Sequence, residues 1–512
     1  KGNSIFVDGN LNGHLDQWAF LSSVRKIDLV SVQSIVDTAS QRGGVLGVRF
    51  VSTDEDEVSP WRFTPSGRKP EIKVKEPLPK EVDLVLGNQI YIEKEGLLPS
   101  LKNCLIRLAA FQNPEFYKAQ AMRFPTYDKP RIIHCCEDFP KHIGLPRGCL
   151  EDVVGLLESL GVDTLIDDKR FDGVSIDVEF NGSLRLEQQI AADAMVAHDT
   201  GVLSASTAFG KTVIAAYLIA KRGVNTLIVV HRKQLLDQWL ARLNTFLESN
   251  DKQIGQIGGG KRKPTGFIDV AMIQSLGKKG IVDDIVADYG HLVVDECHHI
   301  SARSFEIVAR QCKSKFVTGL SATVVRKDGH HPIIFMNCGP IRHKVDDKKQ
   351  AQLRPFAHKV IVRRTAFRAG PSVEAAGYSA IHEIYASLIN DAKRNQMIVK
   401  DVLVVVSKKR FPVILTERKA HLEMLKNMLC TKIQHIIVMK GGMGKRQREK
   451  ALNDLEQLKE DDEKVMLATG RYLGEGFDDD RLDTLFLTLP ISWKGTISQY
   501  AGRLHRVHDM KK

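Results

Sequence analysis

Lys211 and Thr212 end a loop of small residues that has the composition of a phosphate cradle. The apolar run Gly201-Val-Leu203 predicts a buried strand before the loop, and the residues from 212 to 220 favour a helix after it. Backbone N–H groups at such a helix start, together with the positive end of the helix dipole, attract phosphate oxygens. Lys211 would reach the β- and γ-phosphates, and the Thr212 hydroxyl would hold Mg²⁺. Two more residues of the loop are predicted to bind the nucleotide, Ala208 and Gly210.

Asp295 and Glu296 follow a second apolar run, and the chain continues as Cys297-His298. Because the carboxyl ends of parallel strands meet at one edge of a sheet, we expect both carboxylates beside the phosphate loop. Asp295 would hold Mg²⁺, while Glu296 would orient and deprotonate the water that attacks the γ-phosphate. An Asp-Glu pair after a strand also occurs as a simple helix cap, so the catalytic interpretation depends on the loop.

The composition is that of a globular protein with a basic balance. A chain of 512 residues suggests three or four domains, and a net charge of +12 with a pI of about 9.1 fits either a polyanionic partner or a merely soluble basic surface. The eight cysteines form no CxxC pair, which argues against a zinc site and a disulfide framework. No apolar run reaches membrane-spanning length and no signal peptide is evident, so a cytoplasmic location is expected.

Apolar strands alternate with helices in two stretches of the chain, which predicts two parallel sheets covered by helices and an α/β fold class. The first set of predicted strands is 226–230, 268–272, 291–295 and 315–318, and the second set is 412–415, 435–438, 464–468 and 484–488. A smaller α/β unit precedes them, with strands at 88–92 and 131–134 and helices at 97–112 and 150–160. This unit either touches nucleic acid or serves as a structural spacer.

The motifs of the two larger units, taken in order, resemble those of superfamily 2 helicases. They are the phosphate loop, Asp295-Glu-Cys-His298, Ser321-Ala-Thr323 and Gln499-Tyr-Ala-Gly-Arg-Leu-His-Arg506. The resemblance implies two tandem RecA-like P-loop domains, ATP and Mg²⁺ as cofactors, and DNA, single-stranded or branched, as the partner.

The resemblance also implies roles for residues that would otherwise be ordinary polar positions. Gln188 would read adenine, with Arg185 assigned to the same nucleotide site, and Ser321 and Thr323 would couple hydrolysis to movement. Arg506, and after it Arg503, would reach the γ-phosphate from the second domain, where an Arg fork neutralises phosphoryl charge. Two residues of the preceding motif are assigned to the nucleotide, Gly474 and Asp478.

Strand-tracking residues should contact the backbone of the nucleic acid, because a motor must move over any sequence. The positions that match the family are Arg232, Gln238, Gln274, Ser275, Thr416, Arg418 and Thr469. The basic loop from Gly258 to Lys263 either adds a phosphate contact or is a solvated turn.

Within the superfamily the likeness is to the XPB-type branch. Arg326-Lys-Asp328 resembles the Arg-Glu-Asp element for duplex separation in that branch, with Arg326 as a nucleic acid contact and Lys327 in place of the acid. Residues 141–170 are similar to the small damage-recognition-like domain that precedes the motor. Residues 84–508 also resemble the helicase half of the primase–helicase proteins of TOTE conflict systems, which implies a primase-like domain upstream with its metal carboxylates before Lys1.

These expectations divide the chain into six parts. They are a C-terminal remnant of a primase-like domain at 1–52, a linker at 53–83, the accessory domain at 84–180, RecA-like domain 1 at 181–350, an inter-domain connection at 351–400 and RecA-like domain 2 at 401–512. The predicted function is that of an ATP-dependent DNA helicase or translocase, an ATP hydrolase. The alternatives are a translocase that moves on duplex DNA without unwinding it and an ATP-switched nucleic acid sensor in a defence system.

Overall fold

The computed structural model describes residues 77–206, 209–248, 253–278, 281–298, 302–322, 329–346, 359–368, 381–459, 461–470, 479–490, 500 and 504. The predicted primase-like remnant and most of the predicted linker lie outside this part of the chain. The described residues form three sheets with helices packed against them, together with three small two-stranded sheets.

The largest sheet has eight strands, and all of them are parallel except one edge strand. In spatial order the strands are Lys261–Lys263, Ile254–Gly258, Ile268–Met272, Thr226–Val230, His291–Val294, Phe316–Ser321, Thr200–Ser204 and Ile341–Lys344. Its helices are Leu186–Val196, Lys211–Arg222, Lys233–Phe246, Ile273–Leu276, Ala302–Gln311 and Pro332–Cys338. The antiparallel edge strand Lys261–Lys263 pairs with Ile254–Gly258.

Both faces of this sheet are buried, which explains why its central strands are continuously apolar. In the strand Thr226–Val230, Ile228 and Val230 contribute to a core on one face, while Leu227 and Val229 contribute to the core on the other. Successive side chains of a strand point to opposite faces, so a strand covered on both sides needs apolar residues at every position.

A second parallel sheet of four strands follows in the chain. Its strands, in spatial order, are His435–Met439, Lys464–Thr469, Pro412–Thr416 and Thr484–Leu487, and its helices are Ile381–Asn390, Ala392–Ser407, Lys419–Leu429 and Lys445–Gln457. It has the same two-sided burial, with Val413 and Leu415 in one core and Ile414 in the other.

The accessory domain is a five-stranded mixed sheet with three helices. The strands, in spatial order, are Glu137–Asp138, His142–Pro146, Gln89–Glu93, Glu81–Leu86 and Asp163–Asp168, and the helices are Pro99–Leu108, Pro114–Ala121 and Leu150–Ser159. A separate antiparallel pair joins Ala110–Gln112 to Ile132–His134. The core of this domain includes Ile333 and Met336 from the helix Pro332–Cys338, so it continues into the domain of the large sheet.

The segment Arg147-Gly148 anchors the accessory domain on the large-sheet domain. Arg147 is buried and donates hydrogen bonds to the carbonyl oxygens of Ser314 at 2.7 Å, Asn88 at 3.2 Å and Cys312. A Cβ on Gly148 would lie 2.1 Å from the carbonyl oxygen of Phe335, so only glycine permits this close approach of the two backbones.

Several predicted boundaries differ from the structure. The first strand begins at Glu81, so the accessory domain starts inside the predicted linker 53–83. The helix predicted over 97–112 ends at Leu108, because Phe111 is instead buried in a strand paired with Ile133. Ile398 and Val399 of the helix Ala392–Ser407 pack in the second sheet's core, so that domain begins before the end of the predicted connection 351–400.

Among the described helices, none is both long and apolar enough to cross a membrane.

We expect Arg147→Ala to lower the free energy of unfolding by about 3 kcal/mol, because it leaves three carbonyl groups without their donor and removes buried packing. Urea denaturation would measure the loss. Limited proteolysis should also cut faster between the accessory domain and the large-sheet domain. The exposed residue in Lys141→Ala serves as the control and should change stability by no more than about 0.5 kcal/mol. Equal stability of the two variants would contradict the anchoring role.

Candidate active site

The phosphate loop lies between the strand Thr200–Ser204 and the helix Lys211–Arg222. Gly210 caps the helix with φ +97°, a left-handed conformation that favours glycine. A Cβ at Gly210 would lie 2.4 Å from Nε2 of Gln188, so the loop and the helix that begins at Leu186 approach closely here. The helix N-terminus therefore follows directly on the loop, as in a phosphate cradle.

Lys211 contacts Glu296 across the edge of the sheet. Its Nζ donates a hydrogen bond to Oε1 of Glu296 at 2.8 Å, and the two side chains are only 6% and 13% exposed. Glu296 follows the strand His291–Val294, which is parallel to Thr200–Ser204 and separated from it by one strand. The sheet therefore brings the loop and the acidic pair together, as predicted.

Asp295 is held in a fixed orientation by two donors. Nε1 of Trp239 donates to Oδ2 at 2.8 Å, and the backbone N–H of Glu296 donates to Oδ1 at 2.9 Å. Burial, and next the neighbouring Glu296 charge, raise the pKa of Asp295, while Lys211 and the Trp239 hydrogen bond oppose the rise. A carboxylate oxygen accepts more than one donor, so each oxygen retains acceptor capacity for a cation.

The backbone of Glu296 is strained. Its φ is +45°, and a left-handed conformation costs a non-glycine residue roughly 1–3 kcal/mol. Glu296 is thus buried, ion-paired and strained at once. Residues with this combination are common at functional sites, where the strain lowers the stability of the fold.

Ser321 connects the acidic pair with the strand Phe316–Ser321. Its Oγ lies 2.7 Å from Nδ1 of His298, and the same nitrogen lies 3.4 Å from Oε2 of Glu296. The backbone N–H of Ala322 points at the same Glu296 oxygen from 3.4 Å. A shift of this segment would therefore change the contacts of the Glu296 carboxylate. The predicted coupling role of Ser321 requires such a connection.

Gln188 and Arg185 both brace the phosphate loop. The side chains of Gln188 and Arg185 donate to the carbonyl oxygen of Phe209, at 2.7 Å and 2.8 Å. The backbone N–H of Arg185 donates to Oε1 of Gln188 at 3.0 Å. Both residues are thus beside the loop, and the reading of adenine by Gln188 stays a prediction.

The predicted nucleic acid contacts of the large-sheet domain lie near one another. Nε2 of Gln274 donates to the carbonyl oxygen of His231 at 3.0 Å, which ties the short helix Ile273–Leu276 to the start of the segment that carries Arg232 and Gln238. A Cβ at Gly258 would lie 2.7 Å from Oγ of Ser275, so the basic hairpin adjoins the same helix.

In the second domain the side chain of Thr416 lies in the core. This residue is 1% exposed, and its hydroxyl bonds to Nδ1 of His421 at 3.0 Å. Its contact with nucleic acid stays a prediction. Thr469 accepts a hydrogen bond from the backbone N–H of Gly441 at 3.2 Å, and the guanidinium of Arg418 lies 5.2 Å from the centre of the Tyr385 ring.

The half-buried Thr212 lies at the start of the helix that follows the loop, as predicted. The remaining predicted site residues lie outside the described residues, and their roles stay predictions. They are Ala208, Thr323, Arg326, Gly474, Asp478, Arg503 and Arg506.

Trp239 and His298 received no role from the sequence, although both contact the acidic pair. Nothing in the sequence marks Trp239 as a site residue, because an apolar residue on a helix is normally a core residue. Only the fold reveals its hydrogen bond to Asp295. His298 is part of the acidic motif, so its position in the sequence could have indicated a role at the site. Cys297 of the same motif is inert, because burial and next the charge of Glu296 raise the pKa of its thiol to about 12.

Comparison with known proteins agrees with this site. Residues 181–326 match the family model of the type III restriction enzyme, res subunit, a stretch that includes the phosphate loop and the acidic pair. This part of the chain is thus similar to that family, and it forms a parallel sheet with the phosphate loop and the acidic pair at its carboxyl edge.

The relatives of this chain are viral helicases and XPB-type DNA helicases. A protein of Acanthamoeba polyphaga mimivirus, provisionally named an ATP-dependent RNA helicase, is 36% identical over 179 residues, 34% of each chain. A provisionally named helicase of Invertebrate iridescent virus 6 is 26% identical over 66% of this chain and 77% of its own length. The DNA 3′-5′ translocase XPB2 of Sulfurisphaera tokodaii is 30% identical over 31% of this chain and 35% of its own. The chain thus spans about a third of the length of the mimivirus and XPB2 proteins.

We expect Lys211→Ala and Glu296→Gln to abolish ATP hydrolysis for different reasons. Lys211→Ala removes the cation of the phosphate cradle, so ATP binding should weaken by at least tenfold. Glu296→Gln keeps the cradle and should bind ATP as tightly as the unsubstituted chain, while hydrolysis falls by at least 100-fold. Equilibrium binding of a fluorescent ATP analogue and phosphate release would separate the two effects. An equal loss of nucleotide binding in both variants would contradict these roles.

The buried His421 makes the stability of the second domain depend on pH. Burial, and next the charge of Arg394, lower the pKa of His421 to about 4 in the folded state, below the value near 6.5 expected on unfolding. Between these values the unfolded state binds more protons, so stability falls as the pH falls. Its neutral ring lies 3.0 Å from both Thr416 Oγ1 and Asn395 Oδ1.

Replacing this histidine should remove that pH dependence. We expect His421→Gln to be less stable than the unsubstituted chain at pH 8, and the difference to shrink as the pH falls from 6.5 toward 4, by at most about 1.4 kcal/mol per pH unit. Urea titrations of both proteins across this range would measure it. A difference that does not change with pH would show that His421 does not titrate in this way.

Proposed function

We propose that this protein is an ATP-dependent helicase or translocase that couples ATP hydrolysis to movement along DNA. One observation carries the proposal: the contact of 2.8 Å between Lys211 of the phosphate loop and Glu296 of the acidic pair. It joins a phosphate-binding cation to a general base at the carboxyl edge of a parallel sheet, which is where such folds bind ligands. The helicase family of residues 181–326 supports the use of ATP.

The Lys211–Glu296 contact is a resting arrangement. The γ-phosphate competes with Glu296 for Lys211, because it carries more negative charge and lies where the loop directs the lysine. Release of Glu296 leaves its carboxylate able to orient a water molecule and accept its proton. The low exposure of both side chains strengthens each of these electrostatic interactions.

The donor set beside the loop fits Mg²⁺. The Asp295 carboxylate and the Thr212 hydroxyl would hold the ion, which supplies neutralisation of charge on the β- and γ-phosphate oxygens when bound. Among the described residues no group of three or more His, Cys, Asp or Glu could hold a metal by itself. Mg²⁺ commonly takes one or two carboxylates and completes its shell with phosphate oxygens and water.

The second domain would complete the catalytic site. On the resemblance of the final motif, Arg506 or Arg503 stabilises the charge on the transferring phosphoryl group. An arginine supplied from another domain makes hydrolysis depend on the approach of the two domains, and cycles of approach and separation produce movement.

The nucleic acid surface of the large-sheet domain is basic. Its hairpin exposes Lys261, Arg262 and Lys263 after three consecutive glycines with positive φ. A Cβ at Gly259 would lie 3.5 Å from the side chain of Lys233, which continues the basic surface toward Arg232. Contacts of this kind bind phosphates without reading sequence, which favours the phosphate-contact interpretation of this loop.

The named activities of the relatives support a second candidate. One relative is named a translocase. Lys327 replaces an acid in the element that resembles the duplex-separating element of the XPB-type branch. The second candidate is therefore movement on duplex DNA without unwinding. The mimivirus relative is named an RNA helicase, so RNA must be compared with DNA. A primase-like domain upstream and a role in defence against mobile elements rest on the TOTE resemblance alone.

The rate of ATP hydrolysis, compared without nucleic acid and with single-stranded DNA, duplex DNA and RNA, tests the proposal directly. We expect stimulation of at least tenfold by DNA. Strand displacement and triplex displacement, measured side by side, then distinguish unwinding from duplex translocation. Glu296→Gln is the control, because it keeps the fold and should be inactive with every polymer. ATP turnover that ignores every polymer would exclude a motor and favour the sensor.

A further inference from the structure

The accessory domain exposes a group of large apolar side chains within eleven residues of sequence. They are Tyr117 at 40% exposure, Met122 at 54%, Phe124 at 62% and Tyr127 at 94%. Three of the four are aromatic. Single exposed apolar residues are ordinary on protein surfaces, but a concentration of them marks an interaction site.

An ordered turn presents these rings. The helix Pro114–Ala121 ends with hydrogen bonds from the N–H of Arg123 to Gln120 O at 3.0 Å and from the N–H of Phe124 to Ala119 O at 2.8 Å. Arg123 occupies the left-handed position of this helix end, with φ +57°, where glycine is usual. An apolar residue at the position of Phe124 commonly packs back on its helix, but Phe124 is mostly exposed to solvent.

Basic residues alternate with these aromatic residues along the sequence. Lys118, Arg123 and Arg131 are exposed, and the guanidinium of Arg131 lies 5.4 Å from the centre of the Phe116 ring. Lys129 is paired with Asp128 at 2.8 Å. From 114 to 131 the sequence has four basic and two acidic residues, a local charge of +2. Alternating rings and cations fit a polyanion that has flat apolar groups.

The accessory domain contacts Gly329 and His330 of the large-sheet domain close to the start of the helix Pro114–Ala121. A Cβ at Gly329 would lie 2.5 Å from Cγ of Pro114, the first residue of the same helix. The rings of Phe111 and His330 meet edge to face, with their centres 6.1 Å apart. The helix that carries Tyr117 thus begins at a contact with the large-sheet domain.

We propose that Tyr117, Phe124 and Tyr127 form a stacking platform for unpaired bases of single-stranded nucleic acid, while Lys118, Arg123 and Arg131 contact its phosphates. The proposal rests on the proposed function and adds a binding site to it. Every base has a π-face, so such a platform accepts any sequence, as a motor requires. A duplex keeps its base faces stacked inside, which makes the single strand the ligand that fits exposed rings.

The test measures binding of labelled oligothymidylate by fluorescence anisotropy, with the double substitution Phe124→Ala/Tyr127→Ala. Stacking of one base on one ring is commonly worth a factor of about ten, so the affinity should fall by at least tenfold. Duplex affinity, and the ATPase rate without nucleic acid, should not change. Phe124→Leu/Tyr127→Leu retains apolar side chains without rings and should lose as much affinity as the alanine variant. An abasic oligomer should bind the unsubstituted chain as weakly as oligothymidylate binds the alanine variant.

The matched control is Leu165→Ala/Ile166→Ala, which removes two exposed apolar side chains elsewhere in the same domain and should leave binding intact. Unchanged affinity in the alanine variant, or full affinity in the leucine variant, would overturn the platform. If the unsubstituted chain neither binds nucleic acid nor is stimulated by it, the proposed function itself fails. If it is stimulated and the alanine variant binds equally well, only the platform fails.

Discussion

The hydrogen-bonded ion pair between Lys211 and Glu296 is the interaction on which the rest of the structure depends. Its two residues are 85 positions apart in sequence, and they meet because parallel strands deliver both segments to one edge of the sheet. The pair is nearly buried, so its charges interact strongly and a competing phosphate has a large effect. Trp239 and His298 then hold the two acidic residues in place from different elements.

The accessory domain is built into the large-sheet domain rather than attached by a flexible tether. Arg147 donates hydrogen bonds to three carbonyl groups, and Ile333 and Met336 of the large-sheet domain complete the accessory core. Burying a guanidinium costs free energy unless its donors are satisfied, so the carbonyl groups specify one way of docking. That docking determines where the exposed rings lie relative to the large-sheet domain.

Two sequence predictions, at Thr416 and over 97–112, meet tertiary contacts that the local sequence does not show. Thr416 is predicted to contact nucleic acid, and its hydroxyl bonds to the buried His421 in the core. The helix predicted over 97–112 ends early because Phe111 finds a strand partner at Ile133. In each case the partner is 5 or more positions away in sequence, so the local pattern of apolar residues does not reveal the contact.

The sequence by itself determined the two parallel sheets, the phosphate loop and the acidic pair. Strands covered on both faces must be apolar at every position, and phosphate binding restricts which residues can lie at a helix start. Each feature is therefore recognisable from a short stretch of sequence. Only the tertiary structure decided that Trp239 orients Asp295, that Ser321 contacts His298 and that Arg147 joins two domains. These contacts depend on distances between segments that are remote in the chain, and such distances exist only after the sheet has formed.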